Sequence, residues 1–583
     1  MKASPKRWQP GALHLFLIIF IGIFALHLPL LRLPFFWDEA GFYVPAAYDL
    51  AHSHTVIPTT TLDTGHPPLS AGYLALWLTL GGWQPAAARI AMLLLAAFAL
   101  ANVFLLARRV ANNGVAIAST IATAVYPVFF AQSSLTHADL TAAAFTLWGI
   151  RLVMEARVGL AQLAFCLAVL SKETAIITPL ALGLWELVRK DTSPDTNKDT
   201  PSSPASMLTR ISRSAIYAVP LVPLLVWLGY HHHLTGRFLG NAEFFQYNVT
   251  QALSPLRILL AMLMRTWHLL GTMNMLALTA ATIVAMRFPP VTDATGERQR
   301  IAIPVQLQFA AIMLGHIVLF SLLGGALLTR YLLPAYPLVI IIGMSTLRRR
   351  ILSWEWPAAV MVTCFAMALV LDPPYRIAPE DNLTYKDYVE LHARAAQFIA
   401  QHEKDAAILT AWPATDELTK PYLGYTSSPR TVLAIRDFTA EELIRARQMR
   451  PKFQVVYLFS TKYESSTWFR SERWEQLNRR FFDYHQDLSP QAAAELLGGK
   501  VVFVAREKAE WVEIIEMDQP SVEAAGRKLD RNLQSCRLPV CRLHSRLETR
   551  ALKHHLDQRN MYRWVVPQIN QESGNNQIRY PEV

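Results

Sequence analysis

The chain has 583 residues, 52% of them apolar and 17% charged, with a formal net charge of +11. The apolar residues fall in long runs parted by short charged breaks, which excludes an ordinary soluble globular protein and describes a polytopic membrane protein. Almost all of the excess positive charge lies before Pro373, at those breaks, where it works as an orientation signal and not as a nucleic-acid surface.

The first run, His14 to Leu31, follows Lys2, Lys6 and Arg7 as the apolar part of a signal peptide would. No small-x-small cleavage site follows it, so it reads as a retained span. Eleven runs are long enough to predict spans, at about 13–31, 86–107, 114–131, 139–154, 158–171, 174–188, 214–230, 271–286, 305–323, 331–347 and 356–371. With the basic N-terminus in the cytoplasm and the spans alternating, Arg108/Arg109, Arg151/Arg157, Arg189/Lys190, Arg287 and Arg348/Arg349/Arg350 all fall in the cytoplasm too. The alternation requires that His66 to Gly82 does not cross. Its apolar part is about 14 residues long and opens on Pro67-Pro68, which predicts a helix lying in the interface.

The outer face then receives 32–85, 132–138, 172–173, 231–270, 324–330 and everything after Leu371. From Pro373 the periodicity changes. YVELHARAAQFIAQH and FTAEELIRARQM predict helices, while AAILTAW, TVLAI, VVYLF and KVVFVA predict buried strands. Two domains are therefore expected: a transmembrane domain over 1–372 with a first outer loop at 32–85, and a soluble extracytoplasmic α/β domain over 373–583. Cys166 and Cys364 sit in apolar runs as packing residues, and Cys536 and Cys541 in SCRLPVCRLH are close enough to bridge in an oxidising outer compartment.

Polar residues capable of chemistry gather at four outward-facing span ends. They are Asp38 and Glu39 in FFWDEAGFY with His52, His54, Asp63 and His66 beyond them, His137 and Asp139, Lys172 and Glu173, and Arg330 and Tyr331. Each has a plainer reading. Asp139 can simply complement a helix dipole, and Lys172 and Arg330 can snorkel to the interface. Glu39 points about 100 degrees away from Asp38 on a helix. His231, His232 and His233 wrap around a helix and make a poor metal site, and His52, His54, Asp63 and His66 could supply a divalent ion without a ligand spacing that fixes one. Together, acids and bases beside an interfacial helix suit a substrate with a lipid tail and a charged head. Arg and Lys would hold a lipid-linked phosphate while a carboxylate takes a proton from an incoming hydroxyl.

The Asp38-Glu39 pair in the first outer loop, Pro67-Pro68 ahead of the interfacial helix, Asp139 opening the fourth span and the Arg330-Tyr331-x-x-Pro334 motif together resemble the GT-C glycosyltransferases. The resemblance covers roughly residues 1 to 350 and is nearest to the protein O-mannosyltransferase and lipid A aminoarabinose transferase group. It implies a sugar donor carried on a polyprenyl phosphate at the outer face. Asp38 then matches the family's catalytic carboxylate and Asp139 the acid after the third span, while Lys172 and Arg330 match positions that meet the donor phosphate. Gly65-His66 stands where the aminoarabinose branch has Glu-Lys, which puts that sugar and a divalent metal cofactor in question and leaves His66 at the phosphate-contacting position.

The expected function is glycosyl transfer from a polyprenyl-phosphate-linked sugar to a hydroxyl of a lipid, glycan or protein acceptor. The expected catalytic residues are Asp38 and Glu39. Lys172, Arg330, Tyr331 and His66 are expected at the donor phosphate, with His137, Asp139 and Glu173 nearby. The resemblance also implies a bacterial inner membrane with the C-terminal domain in the periplasm. A transporter or lipid flippase, or a membrane-anchored assembly factor, is the alternative. A transporter would place its ionisable groups near mid-span. A reporter fused after Leu371 should behave as periplasmic; a cytoplasmic signal there would invert the site assignment.

Overall fold

The computed structural model describes residues 11–189, 207–240, 254–294, 296–323, 326–450, 452–463, 472–482 and 487–518. Cys536 and Cys541, with the rest of the chain beyond residue 518, lie outside the described residues.

Each of the eleven apolar runs is helical, but the helices are shorter and more broken than the expected spans. Among the described residues, three are long and apolar enough to cross a membrane: Ala12–Leu30, Pro85–Val110 and Ile303–Leu323. Two bent pairs raise the number to five, Met207–Ala218 with Leu221–Thr235 at 46° and Pro255–Leu270 with Met275–Ala285 at 79°. Of the eleven expected spans, three to five thus have the length and composition to cross, and the bundle mixes long helices with short ones. The physical reasons are local. Pro127 divides the 114–131 run into Asn113–Val125 and Pro127–Gln132, because proline cannot continue the hydrogen-bond ladder behind it. Val158–Ser171 has 14 residues, a rise of about 21 Å, against a hydrocarbon core of about 30 Å. Its end at Lys172 lies among buried side chains and not in open solvent.

The helix predicted after Pro67-Pro68 is present as Leu69–Gly81, entered directly from Pro68. Leu13, Ile18, Ile21, Leu80, Leu225 and Val226 project outward from their helices, as lipid-facing side chains do.

The C-terminal region up to Met517 is an α/β layer. A hairpin of two two-residue strands, β1 (Thr292–Asp293) and β2 (Gly296–Glu297), precedes it in the chain. Its sheet contains β3 (Ile408–Ala411), β4 (Val432–Ile435), β5 (Val455–Phe459), β6 (Gly499–Glu507) and β7 (Glu510–Met517). The order is β4-β3-β5-β7-β6, with β3 parallel to both β4 and β5 and β7 antiparallel to its two neighbours. The four predicted strands are all there. The fifth, β7, reads EWVEIIEM, where three acids interrupt the apolar pattern; Glu513 is nonetheless fully buried. Thr384–His402 packs its apolar face, with Val389, Leu391 and Ile399, on β6 and β7.

This layer grips the first outer loop. Phe35 donates its N–H to the Leu423 carbonyl at 3.2 Å, the Tyr425 hydroxyl donates to the Phe35 carbonyl at 2.9 Å, and Lys420 Nζ donates to the Thr60 carbonyl at 2.9 Å. The Trp412 ring lies 4.8 Å from Phe42 and 5.6 Å, edge-on, from Trp37. Gly41 is what allows this, since a Cβ there would stand 2.3 Å from the Trp412 ring. Gly41→Ala should therefore cost about 1–3 kcal/mol of overpacking, seen as a lower unfolding midpoint in detergent, and Trp412→Phe should recover part of the loss. An unchanged midpoint in the Gly41→Ala variant would mean that this contact does not fix the loop.

Candidate active site

The polar residues singled out at the outer span ends converge on one buried guanidinium. Arg330 lies on the 3-10 turn Thr329–Leu332 and is 3% exposed. Its Nη2 donates to Asp38 Oδ2, from the first outer loop, and its Nη1 donates to Glu380 Oε1. Its Nε stands 3.4 Å from Asp139 Oδ2, in the first turn of the Ala138–Met154 helix. Asp139 is shared, because Lys172 Nζ donates to its other oxygen at 2.7 Å and lies 4.4 Å over the Tyr331 ring. Beyond Lys172, Glu173 meets His66 Nδ1 at 2.8 Å. The Tyr43 ring lies between His66, at 6.2 Å, and His137, at 5.6 Å. His137 is held by Gln132 at 2.8 Å.

Asp38, His66, His137, Asp139, Lys172, Glu173, Arg330 and Tyr331 thus belong to one cluster although they come from four separate stretches of sequence. Glu39 does not join them. It is fully buried and turned to Arg89, which donates through both Nη atoms to its carboxylate. It also accepts the Phe36 and Thr136 N–H groups, each at 2.6 Å. Arg89 in turn donates to the Ser134 carbonyl at 2.7 Å and the Pro34 carbonyl at 3.0 Å. Asp38 keeps 17% of its side-chain surface open where Glu39 keeps none. Of the two adjacent acids, Asp38 can meet a substrate.

Electrostatics follow from this packing. Burial opposes the charge of Lys172, yet neighbouring Asp139 holds its ammonium above the ordinary lysine value. Burial likewise opposes the charge of Arg330, and Glu380, Asp38 and Asp139 outweigh it. Burial, followed by the nearby Arg330 and Lys172 charges, holds His137 well below the usual imidazole range, so it is neutral. Three carboxylates, Asp38, Asp139 and Glu380, face the two cations Arg330 and Lys172. Burial pushes the Glu380 carboxyl up to about 8, with Arg330 opposing and Asp38, Asp381 and Asp139 adding to the rise.

Glu380 and Tyr43 were not legible as site residues. Glu380 sits on the turn Pro379–Asp381 just past the last apolar run, where two adjacent acids look like any solvated linker. Tyr43 looks like one more aromatic of the first loop.

The candidate metal ligands are dispersed. His52 is exposed and donates its Nδ1–H to the Tyr48 carbonyl at 3.0 Å, Asp63 meets His231 Nε2 at 2.8 Å, and His66 faces Glu173. Among the described residues, no three His, Cys, Asp or Glu side chains gather as ligands. The acids of the cluster already surround Arg330 and Lys172, so the residues present do not fit a divalent ion. The Asp63–His231 contact serves instead to clamp the loop, together with the Trp227 indole donating to the Gly65 carbonyl at 3.0 Å.

Residues 65–227 match the family described as dolichyl-phosphate-mannose-protein mannosyltransferase. The crystal structure of ArnT from Cupriavidus metallidurans in the apo state has the same fold, with a TM-score of 0.52 at 15% identity over 86% of this chain and 98% of that one. ArnT bound to undecaprenyl phosphate gives a TM-score of 0.46 at 16% identity, over 86% of this chain and 97% of that one. The archaeal oligosaccharyltransferase AglB from Archaeoglobus fulgidus, in complex with an inhibitory peptide and a dolichol-phosphate, gives 0.40 at 11% identity, over 76% and 69%. No curated protein sequence matches the chain.

The Glu39–Arg89 pair generates a prediction of its own. Removing one partner of a buried ion pair costs about 3–5 kcal/mol, so Glu39→Gln and Arg89→Met should each lower accumulation and the unfolding midpoint. A Glu39→Gln variant that accumulates normally and loses only its turnover would instead place Glu39 in the chemistry.

Proposed function

We infer that this chain, a membrane glycosyltransferase of the GT-C type, transfers a glycosyl group from a polyprenyl-phosphate-linked sugar to an acceptor hydroxyl at the outer face of the membrane. The observation that carries this reading is the convergence of Asp38, Lys172 and Arg330, through Asp139, at the ends of apolar helices. Cations buried at that depth and an acid left partly open suit a ligand whose tail lies in the bilayer and whose phosphate reaches the interface.

In the proposed reaction, Arg330 and Lys172 take the donor phosphate, with Tyr331 beside the Lys172 ammonium and His66 at the edge of the cluster. The acceptor oxygen attacks the anomeric carbon, and its proton passes to the Asp38 carboxylate. The bond from the anomeric carbon to the phosphate oxygen breaks, and its electron pair leaves on the phosphate, where the two cations stabilise the added charge. Asp139 holds Arg330 and Lys172 at one spacing, and His137 and Glu173 line the same cleft. The acceptor is a lipid, glycan or protein hydroxyl. The setting we propose is a bacterial inner membrane with the C-terminal domain in the periplasm, and about eleven helical segments traverse or re-enter the bilayer. No polar cluster of this kind lies at mid-span along a described long helix, as a transport pathway would require.

Asp38→Asn keeps the shape of the side chain and removes its basicity. The variant should accumulate and bind donor, yet transfer radiolabelled sugar from a polyprenyl-phosphate donor about 10² to 10⁴ times more slowly. Transfer at the unmutated rate would show that Asp38 is structural.

A further inference from the structure

Glu380 belongs to neither the transmembrane motifs nor the sheet of the outer layer. It is aimed at the active site by its neighbour: Asp381 accepts from the Thr329 hydroxyl and from the Ala378 N–H at 3.1 Å, and Thr329 directly precedes Arg330. The turn after the last apolar run is therefore stitched to the turn that carries the guanidinium. Glu380 is 5% exposed.

The three acids around Arg330 are not equivalent. Asp139 has Lys172 as a second cation, and Asp38 is the partly open one. Glu380, among the described residues, meets no cation but Arg330. A phosphodiester arriving at this guanidinium brings one more negative charge to a place that already holds three carboxylates and two cations. Glu380 and Asp38 each take one of the five N–H donors of Arg330, so donors are not what is short. With a fourth anion beside two cations, one carboxylate has to give up its charge. Losing Asp38 as an anion would remove the base, and Asp139 is fixed from both sides.

Resting on the donor reading above, we propose that Glu380 is a further positioning residue of the donor site. It holds Arg330 while the site is empty, and it takes up a proton from solvent as the donor phosphodiester displaces it. The neutral carboxyl then stays buried without an unpaired charge, which burial otherwise penalises heavily. The groups facing this event are Asp38 and Tyr43 from the first outer loop, His137 and Asp139 at the start of the Ala138–Met154 helix, Lys172 beyond Asp139, Arg330 and Asp381. Burial raises Tyr43 far above neutrality, His137 is already neutral, and Lys172 and Arg330 stay charged. Burial raises Asp381 to about 6, with the Thr329 bond opposing, below the window in which the raised carboxyl of Glu380 titrates. Because binding favours the protonated form of Glu380, donor affinity is highest at low pH and falls as pH rises through the Glu380 value.

The test is titration calorimetry of the full chain in detergent with farnesyl methyl phosphate, a phosphodiester whose single charge is constant across the range used. Runs in buffers of different ionisation heat count the protons taken up on binding. The unmutated protein should take up close to one proton at about pH 9 and few at about pH 6, with affinity falling about tenfold per pH unit above the transition. Glu380→Gln, a neutral mimic, should bind with no uptake and a flat pH dependence, while Glu380→Asp should keep the uptake. Binding by the unmutated protein with no uptake at about pH 9 would overturn the proposal without any variant, as would unchanged uptake in Glu380→Gln. Binding to neither the unmutated protein nor a variant at any pH would overturn the donor reading itself, and this proposal with it.

Discussion

A guanidinium buried at one end of a helical bundle is tolerable only if acids come to meet it, and the architecture of the site follows from that requirement. Arg330 draws Asp38 from the first outer loop, Asp139 from the start of a helix nearly two hundred residues earlier in the chain, and Glu380 from the turn that leaves the last apolar helix. Each acid is on a different element, so these contacts fix the positions of the elements relative to one another. Lys172 extends the network through Asp139, and His66 and Glu173 extend it to the entry of the Leu69–Gly81 helix. Alongside lies a second buried pair, Glu39 with Arg89, which closes the loop on itself and faces no open space. Two adjacent acids thus divide the work: one anchors the loop, and the other stays partly open.

The C-terminal α/β layer has a structural part in this arrangement. The 32–85 loop is held by the Phe35 backbone, bonded to the Leu423 carbonyl and the Tyr425 hydroxyl, and by Trp412 resting on Gly41 and Phe42. On the opposite flank, Trp227 and His231 clamp Gly65 and Asp63. The loop that carries Asp38 is therefore positioned from two sides, and the layer also supplies Glu380 through its first turn. Asp372 ties that turn region to the rest of the layer, accepting from Asn382 and Thr384 at 2.8 Å and from the Tyr463 hydroxyl at 2.5 Å.

Much of the site was legible in the sequence because alternating apolar runs and basic breaks assign the polar span ends to one face. Once Asp38, His137, Lys172 and Arg330 share a face, their convergence is a short step. What sequence could not show was the pairing. The choice of Arg89 as the partner of Glu39 depends on a contact between residues fifty positions apart, and an arginine inside an apolar run looks like a cost with no visible return. Glu380 was hidden by its setting in a polar linker, and β7 by the acids within its strand. The breaks within the apolar runs were harder to read. Apolar length alone does not reveal that Pro127 divides one run, or that the 271–286 run opens as a turn with Met273 and Asn274 at positive φ, so that its helix starts only at Met275.

The most direct test of the account is a structure of the protein in lipid with a polyprenyl phosphate bound. The account predicts the phosphate within about 4 Å of both the Arg330 guanidinium and the Lys172 ammonium, with Asp38 open to the adjoining space and the Glu39–Arg89 pair unchanged. A phosphate seated away from these two cations, or at the cytoplasmic ends of the helices, would contradict it.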